Sequence, residues 1–234
     1  MIDAPLVLLP GLLCDARIFE HQLARFPGAV AIPGFGRADS LEAMARLVLD
    51  RVPGPMSLLG HSMGARVALE VVRMAPERVA RLALVSTGVH PVQPGEADKR
   101  HALLDIGRAQ GAAALVDRWL PPMVAPAHAA DRRLMDRLRT MCIEAGVESF
   151  AAQIGALLAR PDVATLLPAI RCPTLVAVGR EDVWSSPEQH RSIAAAIAGA
   201  RLAVIEGAGH MLPAEAPEAL NSLIADWLSA DPHA

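Results

Sequence analysis

Six short, continuous apolar runs recur along the chain, with longer amphipathic segments between them. The runs span residues 5–9, 29–33, 56–60, 81–86, 174–178 and 201–205. An apolar run of this length suits a strand buried on both faces, and Pro, Gly or Ser near one end of most of them argues against a buried helix. The intervening segments carry helix signals. Asp39-Ser40 offers a cap, with Glu42 three residues after Asp39 as in a capping box. Over residues 63–75, Arg66, Glu70 and Arg73 fall at i, i+4 and i+7, predicting one polar stripe with Val67, Val71 and Met74 left to pack. Ser186-Pro187 opens a further helix, and residues 216–229 form the last. Strand alternating with helix is the pattern of a parallel α/β sheet.

One stretch breaks the rhythm. Between about residues 91 and 167 no strand pattern appears, and prolines punctuate helical segments at 103–120, 132–143 and 148–159. A single crossover needs far fewer residues. The expectation is therefore one domain over 1–234, with a helical lid inserted at about 91–167. A chain of 234 residues, 53% hydrophobic and 20% charged, can bury one substantial core and does not have a disordered composition. Its net charge of −3 provides no general basic field for nucleic acid or an anionic membrane. With no tyrosine and 3% aromatics, a stacking platform for single strands is not expected.

Cys14, Cys142 and Cys172 have no metal spacing and no disulfide pattern, and read as small buried hydrophobes in a reducing compartment. Residues 1–5 hold no basic leader, and no stretch approaches the ~20 apolar residues of a membrane span. A cytoplasmic protein follows as the expectation. His21, His101, His128, His190 and His233 show no paired metal spacing, so surface positions are expected and no metal is called for. Lys99-Arg100 and Arg132-Arg133 read as solvated faces.

The chemistry concentrates at Gly60-His61-Ser62-Met63-Gly64, which follows a strand pattern and opens a helix pattern. That context is the nucleophile elbow, where a sharp turn exposes the serine oxygen above the sheet edge. A serine needs a base held by an acid, and in this arrangement the chain order is Ser, acid, His. The fifth run leads into Gly179-Arg180-Glu181-Asp182 and the sixth into Glu206-Gly207-Ala208-Gly209-His210. Loops after the C-terminal ends of parallel strands share one edge of the sheet, so these residues can converge on Ser62. Glu181 and Asp182 are both eligible acids. His61 should point to the far side of the elbow and be packed and hydrogen-bonded. His90 lies at the same edge, either touching substrate or solvated in its loop.

Together with Leu8-Leu9-Pro10-Gly11-Leu12-Leu13 and residues 33–40 (PGFGRADS), these motifs resemble the α/β-hydrolase superfamily. The resemblance covers nearly the whole chain and is strongest to its small, lid-bearing esterase and enol-lactonase-like branch. It implies Ser62 as nucleophile, His210 as general base and then acid, and Asp182 rather than Glu181 as the orienting acid. It also implies an oxyanion hole from the backbone N–H groups of Leu12 and Met63. Pro10 stands where many relatives have histidine. The usual N-terminal hairpin is expected to be missing, leaving six parallel strands in the order 2-1-3-4-5-6 with helices on both faces. The reaction implied is hydrolysis of a small or medium, mostly apolar ester or lactone, with no metal or organic cofactor. Leu13, Trp119, Met123, Phe150, Trp184 and Met211, with Leu12 and Met63, are candidate walls of the acyl site. Carbon–carbon bond hydrolases, perhydrolases and acyltransferases share the triad, and a binding protein that keeps the fold without catalysis is a further alternative. The partner expected is a small molecule, with the chain a monomer or a homodimer.

Overall fold

The computed structural model describes residues 4–230; residues 1–3 and 231–234, with the expectations for the N-terminus and for His233, lie outside. In chain order the elements are β1 (Leu6–Leu9), α1 (Glu20–Arg25), β2 (Val30–Ala31), α2 (Leu41–Arg51), β3 (Met56–His61), α3 (Met63–Met74) and β4 (Val79–Val85). Then follow α4 (Glu96–Gln110), α5 (Ala112–Trp119), α6 (Arg132–Leu158), β5 (Thr174–Gly179), α7 (Pro187–Ala196), β6 (Arg201–Ile205), α8 (Leu212–Glu215) and α9 (Pro217–Ser229).

The six strands form one sheet in the order β2-β1-β3-β4-β5-β6, every pair parallel. All six apolar runs become strands, and no strand precedes β1 among the described residues. Strands β1, β3 and β5 are buried along their whole length, as continuous apolar sequence requires, and β4 from Leu82 onward. From β1 the chain steps to one side, to β2, and then returns to build outward from β3. Right-handed crossovers therefore place α1 on the face opposite α2 and α3. Accordingly, α1 packs with α8 and α9, while α2 packs with α3. The reversal between β1 and β3 leaves a crevice at their C-terminal ends, where open parallel sheets bind ligands.

Several local expectations change. Ser40, not Asp39, caps α2, its hydroxyl accepting from the Ala43 N–H. The segment 103–120 is two helices, broken at Gly111 by a φ of 88°. The segments 132–143 and 148–159 are one element, α6, kinked at Gly146 with a φ of 82°. By length and composition α6 is long and apolar enough to cross a membrane, with 27 residues and a mean hydropathy of 1.3 in its best window. In sequence it does not read as one apolar stretch, because Asp136, Arg137, Arg139, Glu144 and Glu148 interrupt it. Inside the molecule its apolar positions, including Leu138, Met141, Phe150 and Ile154, pack into the core. The polar stripe on α3 is only partly solvated, with Arg73 exposed at its end. Glu70 is buried against Arg73, and Arg66 is 9% exposed, because α3 is packed between the sheet and α2 with Arg66 turned to the cavity.

Candidate active site

The end of β3 and the start of α3 are forced close together by two glycines. A Cβ at Gly60 would stand 2.4 Å from the backbone of Gly64 and Ala65, and one at Gly64 would stand 2.1 Å from the Leu9 carbonyl oxygen. With side chains excluded there, Ser62 takes the strained backbone of the turn, φ 55° and ψ −115°. Its amide donates to the Val85 carbonyl at 2.8 Å, and its carbonyl accepts from the Thr87 hydroxyl. The hydroxyl is left to face the crevice.

The two later loops bring their side chains to it. His210 Nε2 lies 2.9 Å from Ser62 Oγ, and His210 Nδ1 lies 2.8 Å from Asp182 Oδ2. The other Asp182 oxygen accepts from the Trp184 and Ser185 amides at 2.9 and 2.8 Å. Burial pushes the Asp182 carboxyl upward, but His210 and these two amides outweigh it and hold the group below the usual carboxylate range. Glu181 takes no part in this chain of contacts. His210 is itself fixed from several sides. Its amide donates to Met123 O at 2.8 Å, and its carbonyl accepts from His61 Nε2 at 2.8 Å. Glu215 Oε2 accepts from the Ala125 and Gly209 amides at 2.7 and 3.0 Å. Nothing in the sequence marks Glu215; it sits in α8, an element without periodicity of its own.

Beside the elbow, β1 ends in the loop through Pro10-Gly11-Leu12-Leu13. The register Leu9↔Gly60 brings this loop against Ser62. The Leu12 amide finds no acceptor among the described residues, while the Leu13 amide donates to Gln153 Oε1 at 2.9 Å. Leu13 sits at φ 58°, so adjacent amides are turned apart. Gln153, on α6, also donates through Nε2 to Gly36 O at 2.9 Å. Met63 opens α3, where the first amides have no partner inside the helix.

These elements border a cavity of about 220 Å³. Leu12, Met63, Trp119, Met123, Phe150, Trp184 and Met211 all line it, with Ser62 and His210. Leu13 does not: its side chain is 1% exposed and belongs to the core. The walls are less apolar than expected, since Arg66, His90, Glu96, Lys99, Arg100 and Arg160 also reach the cavity. Arg100 is thus no solvated surface charge; it pairs with Glu96 at 2.9 Å.

His61 is buried and hydrogen-bonded as expected, but it does not point to the far side of the elbow: it packs 5.5 Å from the His210 ring and borders the same cavity as Ser62. Burial, then the neighbouring His210, pushes it down to about 3, so it is neutral and donates from Nε2. His190 departs from its expected surface position. It is fully buried, accepts from the Thr87 amide at Nε2 and lies 3.0 Å from Ser186 O at Nδ1, which places the proton on Nδ1. Cys14 and Cys142 are buried and Cys172 half-buried, all three as free thiols. The contact with Cys142, followed by burial, pushes the Cys14 thiol well up, so it is no nucleophile. No cluster of metal-ligating side chains occurs among the described residues.

The model of the Alpha/beta hydrolase family matches residues 6–223. The chain belongs to the alpha/beta hydrolase family. Relatives within it are distant. A putative carbamate hydrolase RutD of Rhizobium rhizogenes is 27% identical over 194 residues, covering 82% of this chain and 72% of its own. A pimeloyl-[acyl-carrier protein] methyl ester esterase of Neisseria meningitidis is 25% identical over 236 aligned positions, covering 94% and 75%. Among solved structures, a thermophilic esterase of Thermogutta terrifontis is 28% identical with a TM-score of 0.86, covering 96% of this chain and 89% of that one. The enol-lactonase of Burkholderia xenovorans shares the fold at 24% identity and a TM-score of 0.83, covering 97% and 92%.

Proposed function

We propose that this alpha/beta hydrolase is a serine esterase or lactonase acting on small or medium carboxylic esters through an acyl-enzyme. The observation that carries the reading is the unbroken line from Ser62 Oγ through both nitrogens of His210 to the buried Asp182 carboxylate. In this reading His210 Nε2 takes the Ser62 proton as Oγ bonds to the substrate carbonyl carbon. The amides of Leu12 and Met63 receive the oxyanion, a contribution where one lost donor costs ~10²–10³ in rate. His210 then hands the proton to the departing alkoxide, leaving the acyl group on Ser62. Water, deprotonated by the same nitrogen, releases the acid. Asp182 fixes the tautomer of His210 and stabilises the imidazolium without taking its proton. Helices α4 to α6 act as the lid. The esterases among the relatives support the ester class, and the apolar walls with a charged patch at Arg66, Glu96, Arg100 and Arg160 suit a substrate that is apolar in part.

A fluorophosphonate probe tests the reading, since it needs an activated serine and not the true substrate. The expected result is rapid labelling of Ser62, lost in Ser62→Ala. Turnover of a short nitrophenyl ester should fall by roughly 10³-fold or more in Ser62→Ala and in His210→Ala. A folded wild-type protein that neither labels nor hydrolyses any ester overturns it.

A further inference from the structure

Helix α3 brings a second functional group to the cavity. Arg66 follows Ser62 by four residues, about one helical turn along the same face. Its guanidinium has five N–H donors but makes one long bond, 3.4 Å from Nη2 to His90 O. No carboxylate pairs with it among the described residues. Its neighbours differ. Arg160 spends all its donors on Glu96, Leu157 O, His90 O and Pro91 O. Arg100 leans on the same carboxylate at 2.9 Å. Arg100 and Arg160 thus share Glu96 while Arg66 has no carboxylate, so these three guanidiniums face one carboxylate in a cavity that opens on the nucleophile.

A buried guanidinium without a partner is unfavourable. Burial, and next the charge of Arg160, lower the Arg66 pKa to about 9, which keeps it cationic at neutral pH. Glu96 cannot serve it, because both carboxylate oxygens are already engaged by Arg160 and Arg100. What the geometry lacks is an acceptor in front of Arg66, supplied by a molecule that also reaches Ser62. A carboxylate matches the planar fork and is the smallest ionised oxygen group that a short carbon chain can carry into about 220 Å³ beside an ester.

We propose that Arg66, backed by Arg100 and the Arg160–Glu96 pair, forms an anion subsite, and that the substrate is a half-ester of a short dicarboxylic acid. Its ester carbonyl sits at Ser62 and its free carboxylate at Arg66. The esterase part of this statement rests on the function proposed above; the subsite does not.

Monomethyl glutarate and methyl pentanoate, an uncharged ester with the same acyl chain length, form the test pair, with hydrolysis followed by acid release. Wild-type kcat/KM should favour the charged ester at least tenfold. Arg66→Gln should lower that ratio at least tenfold, and Arg66→Lys by less. The ratio is taken within each variant, so loss of folded protein cancels. Calorimetry with glutarate reads the subsite without turnover: binding to wild type, lost in Arg66→Gln. Equal use of the two esters by wild type, or glutarate binding unaffected by Arg66→Gln, overturns the subsite. Arg66-dependent glutarate binding in a protein whose Ser62 resists the fluorophosphonate upholds the subsite and overturns the esterase reading.

Discussion

His61 and Gln153 flank the candidate nucleophile, and neither belongs to the Ser62–His210–Asp182 chain of contacts. His61 is neutral and buried in the fold but free to take a proton once unfolded, so its pKa rises from about 3 folded to 6.5 unfolded. Below 6.5 the unfolded chain then binds the extra proton, and stability falls as pH falls until about 3. Urea unfolding at pH 5 should therefore show about 2 kcal/mol less stability than at pH 7 from this group alone. His61→Gln, which cannot titrate, should flatten that slope. Gln153 makes a different prediction. Gln153→Leu leaves the buried Leu13 amide without an acceptor and frees the loop that presents the Leu12 N–H. The expected outcome is a fall in kcat of about tenfold or more with KM changed far less, and a loss of ~1–3 kcal/mol in denaturant. Ser62, Asp182 and His210 were readable because they stand in turns whose glycines and order have a mechanical meaning. Gln153 was not, because an amide in the middle of an amphipathic helix looks like any polar position. Its two partners lie 117 and 140 residues away.

Between elements, the decisive approach is that of α3 to β1 through Gly64. Gly64→Ala places a methyl 2.1 Å from the Leu9 carbonyl, where only backbone could give way. Such a change should destabilise the fold by about 3 kcal/mol or more, measured as a lower denaturant midpoint. Gly155, whose added Cβ meets nothing, is the control site for the same change. The six strands were legible because a run buried on both faces has no polar positions to confuse it. Helix limits were less so. Gly111 and Gly146 break or kink their helices through positive φ, yet a lone glycine inside an apolar period reads as a tolerated residue. The stripe on α3 misled for another reason: periodicity reveals that charges share a face, not what covers that face. Here α2 and the sheet pack against α3, and Arg66 faces the cavity whose charged wall pairs residues as far apart as Glu96 and Arg160.

At the scale of the whole molecule, the inserted helices are sewn to the sheet edge at the site itself. Gln153 holds the loop after β1, Met123 O holds the His210 amide, and Ala125 shares Glu215 with Gly209. Loosening the insertion should therefore disturb the chemistry, not only uncover it. Glu215→Ala strips the acceptor from two buried amides and should speed hydrogen exchange at Ala125, Gly209 and His210 while lowering kcat. Exchange unchanged at these amides would refute that link. The placement of the indoles has a practical corollary. The chain has three tryptophans and no tyrosine. Trp119 and Trp184 border the cavity, while Trp227 is tucked away with its N–H on Pro173 O. Ultraviolet emission from this protein thus comes largely from the walls of its own site, with no phenol to feed or blur it. A Trp227→Phe variant would be a self-reporting molecule, in which arrival and departure of a ligand are read as a colour and intensity change without any added label.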